Sequence, residues 1–162
     1  MKQIPLTQGK FALVDDEDFE YLNQFKWYAI KCDKTYYVCR KVYDKETKKG
    51  KNLLMHRFVL GLTDPKIQGD HIDWNGLNNQ RYNLRICSCA QNQRNKKARK
   101  GGSSKYIGVH WHKGGNKWQS RIKMDGNHIS LGLFTDEIEA AKAYDKAAKF
   151  YHGEFASLNF NE

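Results

Sequence analysis

Residues 68–95 constrain this chain more than any other stretch. They read Gln-Gly-Asp-His-Ile-Asp-Trp-Asn-Gly-Leu-Asn-Asn-Gln-Arg-Tyr-Asn-Leu-Arg-Ile-Cys-Ser-Cys-Ala-Gln-Asn-Gln-Arg-Asn. Asn75-Gly76 and Asn78-Asn79 tolerate positive φ and break the stretch in its middle. A short strand is therefore expected over 67–72. Leu84-Arg-Ile-Cys87 alternates apolar and polar side chains and reads as a second strand. Ser88 can cap a helix over 90–97, with Asn92 in its first turns. A strand–turn–strand–helix unit of this kind can gather the adjacent Asp70 and His71 with Asn92. A hard cation takes oxygen ligands, and a water nucleophile needs a base whose pKa lies near neutrality. Both kinds of group occur here between Asp70 and Asn92.

The phrases Met55-His-Arg57, Gly69-Asp-His-Ile-Asp73, Asn75-Gly-Leu-Asn-Asn79, Asn83-Leu-Arg85 and Gln91-Asn92 follow one another in an order that resembles a known pattern. It is the HNH nuclease motif of the ββα-metal fold, in the form found in phage and intron-encoded homing endonucleases. The resemblance implies that Asp70 and Asn92 bind a divalent metal and that His71 activates the attacking water. It also implies that Asn83 braces the loop carrying the base. The third letter of the motif is often histidine and here is Asn92, which keeps a hard oxygen ligand and suits Mg²⁺, or Mn²⁺, better than a soft metal.

The chain has 162 residues and a formal net charge of +10, which favours an anionic partner. The distribution says more than the total. Between Trp74 and Met124 there is no Asp or Glu but there are twelve Lys or Arg residues, a tract suited to following a phosphate backbone. No apolar run is long enough to span a membrane and Met1-Lys-Gln-Ile4 is not a secretory signal, so a cytoplasmic location in the host cell is expected. Cys32, Cys39, Cys87 and Cys89 lack the paired spacing of a zinc site; Cys87 and Cys89 read as reduced structural thiols at a strand or its exit, with a four-cysteine zinc site as the disfavoured alternative.

Ahead of the motif, residues 9–14 read as a strand and an acidic helical turn begins near Asp15. Phe19, Leu22 and Phe25 recur at helical spacing and read as core. Residues 26–30 and 35–39 read as strands, a charged turn follows over 44–50, and 53–60 is an apolar run. His56 reads as a supporting residue of the site rather than a catalytic group, with contact to a phosphate or orientation of a metal site as the alternative. Arg57 and Arg85 can support the site or hold a phosphate bidentately.

The basic run Arg94, Lys96, Lys97, Arg99, Lys100 leads into Gly101-Gly-Ser-Ser104, which has linker composition. Beyond it, strands are expected from Tyr106, over 117–124 and over 127–134, with a turn at Asp125-Gly126. Trp118, Ser120, Ile122 and Met124 share one face of the second strand, and Lys117, Gln119, Arg121 and Lys123 the other. In the third strand Ile129, Leu131 and Leu133 are expected to point together, leaving His128 and Ser130 on the basic face. Thr135 can cap a helix over 136–152 whose Ala140, Ala141, Tyr144, Ala148 and Tyr151 form a packing stripe, and Gly153 ends it.

Tyr106-Ile-Gly-Val109, Leu131-Gly-Leu-Phe134, the run over 139–148 and Leu158-Asn-Phe160 resemble the APETALA-type DNA-binding domain of plant ethylene-response factors. That resemblance implies a sheet laid in the major groove of a duplex. The positions that would read DNA are His110, His112, Lys117, Arg121, Lys123, His128 and Ser130. Several Arg and Trp positions of the plant pattern are Ile107, His110, His112, His128 and Ser130 here, so the plant target sequence does not transfer.

The expected fold is α+β: a ββα-metal (HNH) nuclease domain with extra strands over 1–95, a basic linker over 96–103, and a three-stranded antiparallel sheet on one helix over 104–162. The expected activity is Mg²⁺-dependent, site-specific hydrolysis of double-stranded DNA by a monomer that nicks one strand, with no obligatory protein partner. A DNA-binding regulator without cleavage activity is the alternative. An RNA-processing nuclease is a second rival, disfavoured because RNA sequence is usually read on unstacked bases.

Overall fold

The computed structural model describes residues 1–32, 35–46, 48–95 and 101–160. The chain divides into two compact units, Met1–Cys89 and Ala90–Glu162. Lys96, Lys97, Arg99 and Lys100 lie outside the described residues.

The first unit opens with a hairpin of β1 (Lys2–Pro5) and β2 (Phe11–Val14), paired antiparallel from Lys2 opposite Val14 to Pro5 opposite Phe11. Alternation turns Ile4, Ala12 and Val14 inward, where all are buried. Helix α1 (Asp16–Leu22) follows, with Asp16, Glu17 and Asp18 at its positive end and Leu22 in the core. Strands β3 (Tyr28–Cys32), β4 (Thr35–Asp44) and β5 (Lys49–Leu54) form an antiparallel meander with β4 in the centre. The apolar run expected over 53–60 is split by structure: Leu53 and Leu54 finish β5, and α2 (Met55–Val59) begins at once. Trp27 is the largest buried side chain, and its indole N–H donates to the Leu22 carbonyl at 2.8 Å. The Arg40 guanidinium sits 3.7 Å from the centre of the Phe25 ring, with Trp27 and Phe58 beside it, so that charge stays against aromatic faces.

Strand β6 (Gln68–His71) pairs antiparallel with β7 (Leu84–Cys87), Asp70 opposite Arg85 and His71 opposite Leu84. The loop between them is stitched to the N-terminal hairpin. Leu13 N–H donates to Leu77 O and Asn79 N–H to Leu13 O, at 2.9 and 2.8 Å. Asp15 accepts from the Arg81 backbone N–H and the Gln80 amide at 2.7 and 3.0 Å. Helix α3 (Cys89–Asn92) follows β7 and is shorter than the helix expected over 90–97, starting one residue earlier.

In the second unit β8 (Val109–His112), β9 (Lys117–Met124) and β10 (Asn127–Phe134) form an antiparallel sheet with β9 central, and α4 (Glu137–His152) packs on it. Asp125 and Gly126 both have positive φ, as a tight two-residue hairpin turn requires. Ser120 and Ile122 are buried while Arg121 and Lys123 are exposed, as period two predicts.

Three expectations fail here for local reasons. A β-bulge shifts the β9–β10 register between Ser130 and Gly132, so Leu133 faces Gln119 and is 46% exposed, while Phe134 turns to the core beside Trp118. One extra residue in a strand moves everything after it to the opposite face. The helix cap is Asp136 rather than Thr135, its carboxylate accepting the Glu139 N–H at 2.9 Å. Tyr151 is exposed, and His152 takes the inward position next to it. Gly108 (φ +74°) has no room for a side chain: a Cβ would meet the Tyr144 ring and stand 2.7 Å from the Arg121 carbonyl. No helix among the described residues is long and apolar enough to cross a membrane.

Candidate active site

The β6–β7 pair puts Asp70 and His71 on opposite faces of one strand, and both are buried. On the Asp70 face, Arg85 Nε and Nη2 both reach Asp70 Oδ2, at 2.9 and 2.8 Å. The pair is nearly enclosed, so each charge depends on the other to offset lost hydration. Arg85 therefore serves the carboxylate rather than standing open to a phosphate. Arg57 is likewise committed: its guanidinium donates to the carbonyls of Ile67, Asp64 and Leu62 at 2.6, 2.8 and 3.4 Å, closing the loop before β6.

On the other face, three rings surround one spot. The His71 and His56 centroids are 4.9 Å apart, edge to face, and Tyr37 lies 5.7 Å from His71 and 5.9 Å from His56. A side chain at position 69 would come 2.8 Å from His56 Cδ2, and one at position 76 would strike the Tyr36 carbonyl and the Tyr37 ring. Gly69 and Gly76 thus let the strand and the loop close over these rings. Burial, His71 and Arg57 hold the His56 pKa down at about 3, so this imidazole is neutral. Burial also lowers the pKa of His71, opposed by Asn79, Asp73 and Asp70. Burial is the larger effect, so the ring is neutral at neutral pH.

The loop after His71 is fixed by a network of amides around one carboxylate. Asp73 Oδ1 accepts from Asn75 N–H and Asn83 Nδ2, and Oδ2 from Asn78 Nδ2, at 2.8, 2.9 and 3.0 Å. Asn83 Oδ1 accepts the Asp73 N–H at 3.0 Å, and its Nδ2 also donates to the Asn78 carbonyl at 2.9 Å. Asn83 is 2% exposed and its backbone carbonyl takes the Ile72 N–H at 2.9 Å, so it ties both ends of the loop together. Asn83 is legible in the sequence, whereas Asp73 and Asn78 are not, because their turn-forming composition hides their mutual bonding. Nor is Tyr37, which arrives from a distant strand with no local signal.

Asp70, His71, His56, Asn83 and Arg85 therefore converge on β6–β7. Asn92 is the half-buried last residue of α3. Among the described residues no group of three His, Cys, Asp or Glu side chains is placed to hold a metal ion. A carboxylate and an amide oxygen still suit Mg²⁺, which typically takes one or two protein ligands and completes its shell with water and substrate phosphate.

In the second unit the outer face of the sheet collects His110, His112, Lys117, Arg121, Lys123, His128 and Ser130. Gln119 joins them in the middle: it meets His110 Nε2 at 2.9 Å and donates to Ser130 Oγ at 3.5 Å, a polar line across all three strands. Arg94 sits apart from that face, paired with Asp125 at 3.7 Å.

No family model matches the chain. It is 32% identical over 157 residues to an uncharacterized HNH endonuclease of Acanthamoeba polyphaga mimivirus, covering 94% of this chain and 76% of that protein. A stretch of 61 residues is 48% identical to APETALA2-like protein 2 of Oryza sativa subsp. indica, covering 36% of this chain and 14% of that one. A stretch of 62 residues is 44% identical to the ethylene-responsive transcription factor WRI1 of Arabidopsis thaliana, covering 37% and 14%. The plant relatives are thus matched over a small part of their own length. The viral match runs through nearly the whole chain: this protein belongs to the HNH endonuclease family and carries an APETALA2-type segment.

Proposed function

We propose that the chain is a metal-dependent, site-specific DNA endonuclease of the homing type, with a ββα-metal nuclease module followed by a sheet that reads the duplex. The observation that carries this reading is a buried Asp70, ion-paired to Arg85, followed directly by a buried His71 at the end of one strand, above a loop that Asn83 locks. Asp70 and Asn92 would hold Mg²⁺ or Mn²⁺, which when bound stabilises negative charge on the scissile phosphate and the leaving oxygen. His71 takes a proton from the attacking water as its oxygen bonds to phosphorus and the P–O bond to the leaving strand breaks. Asp73 and Asp70 lie close enough to favour the imidazolium that forms. His56 and Tyr37 keep bulk water from the buried side of the ring. Arg85 holds the Asp70 carboxylate in place, and Arg57 holds the loop that leads into it.

Recognition is assigned to His110, His112, Lys117, Arg121, Lys123, His128 and Ser130, with the basic residues Arg94, Lys96, Lys97, Arg99 and Lys100 following the phosphates. One site per chain makes a monomer nick one strand. Cleavage of candidate genomic DNA with strand-specific end mapping tests the proposal. A single mapped nick that requires a divalent cation is expected. Sequence-specific binding with no cleavage under any divalent cation would leave a DNA-binding regulator instead.

A further inference from the structure

We propose that Gln119 and Leu133 form a base-reading pair in the middle of the second unit's sheet, Gln119 taking the major-groove edge of an adenine and Leu133 the methyl group of a thymine in the adjoining base pair. The inference rests on the reading of this sheet as the surface that meets the duplex. On the outer face of β9 charged side chains stand on either side of Gln119, with Lys117 before it and Arg121 and Lys123 after it. Such groups suit phosphates, which fix the register of a complex, whereas sequence is read by hydrogen bonds and apolar contacts to base edges. The neutral centre of the face is the part fitted to bases.

Leu133 belongs to that centre only because of the bulge. Uninterrupted alternation would send it inward with Ile129 and Leu131. The shift between Ser130 and Gly132 sets it opposite Gln119 instead and leaves it 46% exposed. A single exposed leucine is ordinary on a protein surface. This one stands beside an amide that is held from both sides. Gln119 Oε1 lies 2.9 Å from His110 Nε2, and Gln119 Nε2 donates to Ser130 Oγ at 3.5 Å. Each end keeps spare capacity, since an amide oxygen has a second lone pair and an amide nitrogen a second hydrogen. The acceptor and donor left over match the N6–H donor and N7 acceptor of adenine, which alone among the bases shows that pair on its major-groove edge. An amide already held in place loses little side-chain freedom on binding. Neighbouring strands lie about 4.8 Å apart, little more than one base step of about 3.4 Å, so Leu133 reaches the pair next to the one that Gln119 reads.

The test is selection of bound duplexes from a random-sequence library by the full chain, without divalent cation so that nothing is cut. The parent is expected to enrich a site containing an adenine and, in the adjoining pair, a thymine. Gln119→Ala should lose the preference for that adenine, and Leu133→Ala the preference for that thymine. Gln119→Glu should turn the adenine position to cytosine, because a carboxylate accepts from cytosine N4 but repels adenine N7. A change of preferred base, unlike a loss of binding, does not come from a misfolded chain. In the selected duplex, 7-deazaadenine at the adenine position should weaken the parent by about fivefold, the effect of one lost hydrogen bond, and leave Gln119→Ala unaffected. Uracil at the thymine position should weaken the parent by about fourfold, the effect of one buried methyl, and leave Leu133→Ala unaffected.

A parent that selects a site whose base preferences survive in all three variants would overturn the inference and leave the sheet as the reader. So would changes confined to G·C positions, or analogue penalties that persist in the variants. A parent that selects no site at all would instead overturn the reading of the sheet, and the inference with it.

Discussion

His56 shows how one side chain can set the pH response of a whole unit. It is 5% exposed in the fold and its pKa falls to about 3 there, against an ordinary value near 6.5 when unfolded. Between those values the unfolded chain binds a proton that the folded chain refuses, so stability rises with pH. The slope is about 1.4 kcal/mol per pH unit, which makes the first unit about 2 kcal/mol weaker at about pH 5 than above about pH 6.5. His71, lowered in the same direction, adds to that loss. His56→Phe should flatten the slope by nearly one proton, as urea unfolding at the two pH values would show. An unchanged slope would mean that His56 is charged in the fold. Asn83→Ala removes three side-chain hydrogen bonds around Asp73 and should cost about 2–3 kcal/mol, read by the same unfolding curves.

At the scale of elements, regular stretches were legible and irregular ones were not. Residues 117–124 alternate without interruption, and β9 takes that register, Ile122 in and Arg121 out. Strand β10 carries the same kind of pattern, but its bulge sends Leu133 outward and Phe134 inward. The hint was Gly132, since an isolated glycine inside a strand often marks a bulge. The two neighbours should respond oppositely to what alternation implies. Phe134→Ala should cost about 2–3 kcal/mol because the ring is partly buried, and Leu133→Ala less than about 1 kcal/mol. A reversed order in thermal melting would place the bulge elsewhere. The β1–β2 hairpin was only half visible, because Lys2–Pro5 is short and carries a proline that an edge strand tolerates. The loop between β6 and β7 read as turns. Its hydrogen-bond network depends on Leu13 and Asp15, some sixty residues away, and no local pattern reports that.

For the molecule as a whole, the viral endonuclease matches nearly the full length of both units, while the plant transcription factors match a stretch of about sixty residues. The second unit begins before the Gly-Ser stretch, at Ala90, and its early residues are used: Ser157 donates to Asn95 at 3.2 Å and Arg94 pairs with Asp125. A fragment over 90–162 should therefore melt higher than one over 103–162, and equal melting would make residues 90–102 dispensable. Replacing Arg121 and Lys123 with Ala should lower the log–log salt slope of DNA binding by roughly 0.9 for each phosphate no longer neutralised, or relax specificity at an unchanged slope if they touch bases. The central claim is that His71 performs the chemistry while the second unit holds the DNA. The most direct measurement is Mg²⁺-dependent cleavage by His71→Ala beside its affinity for the same duplex. Cleavage slowed by at least about 100-fold, with affinity within about twofold, is the expected result. Cleavage at the parental rate, or a joint loss of cleavage and affinity, would contradict it.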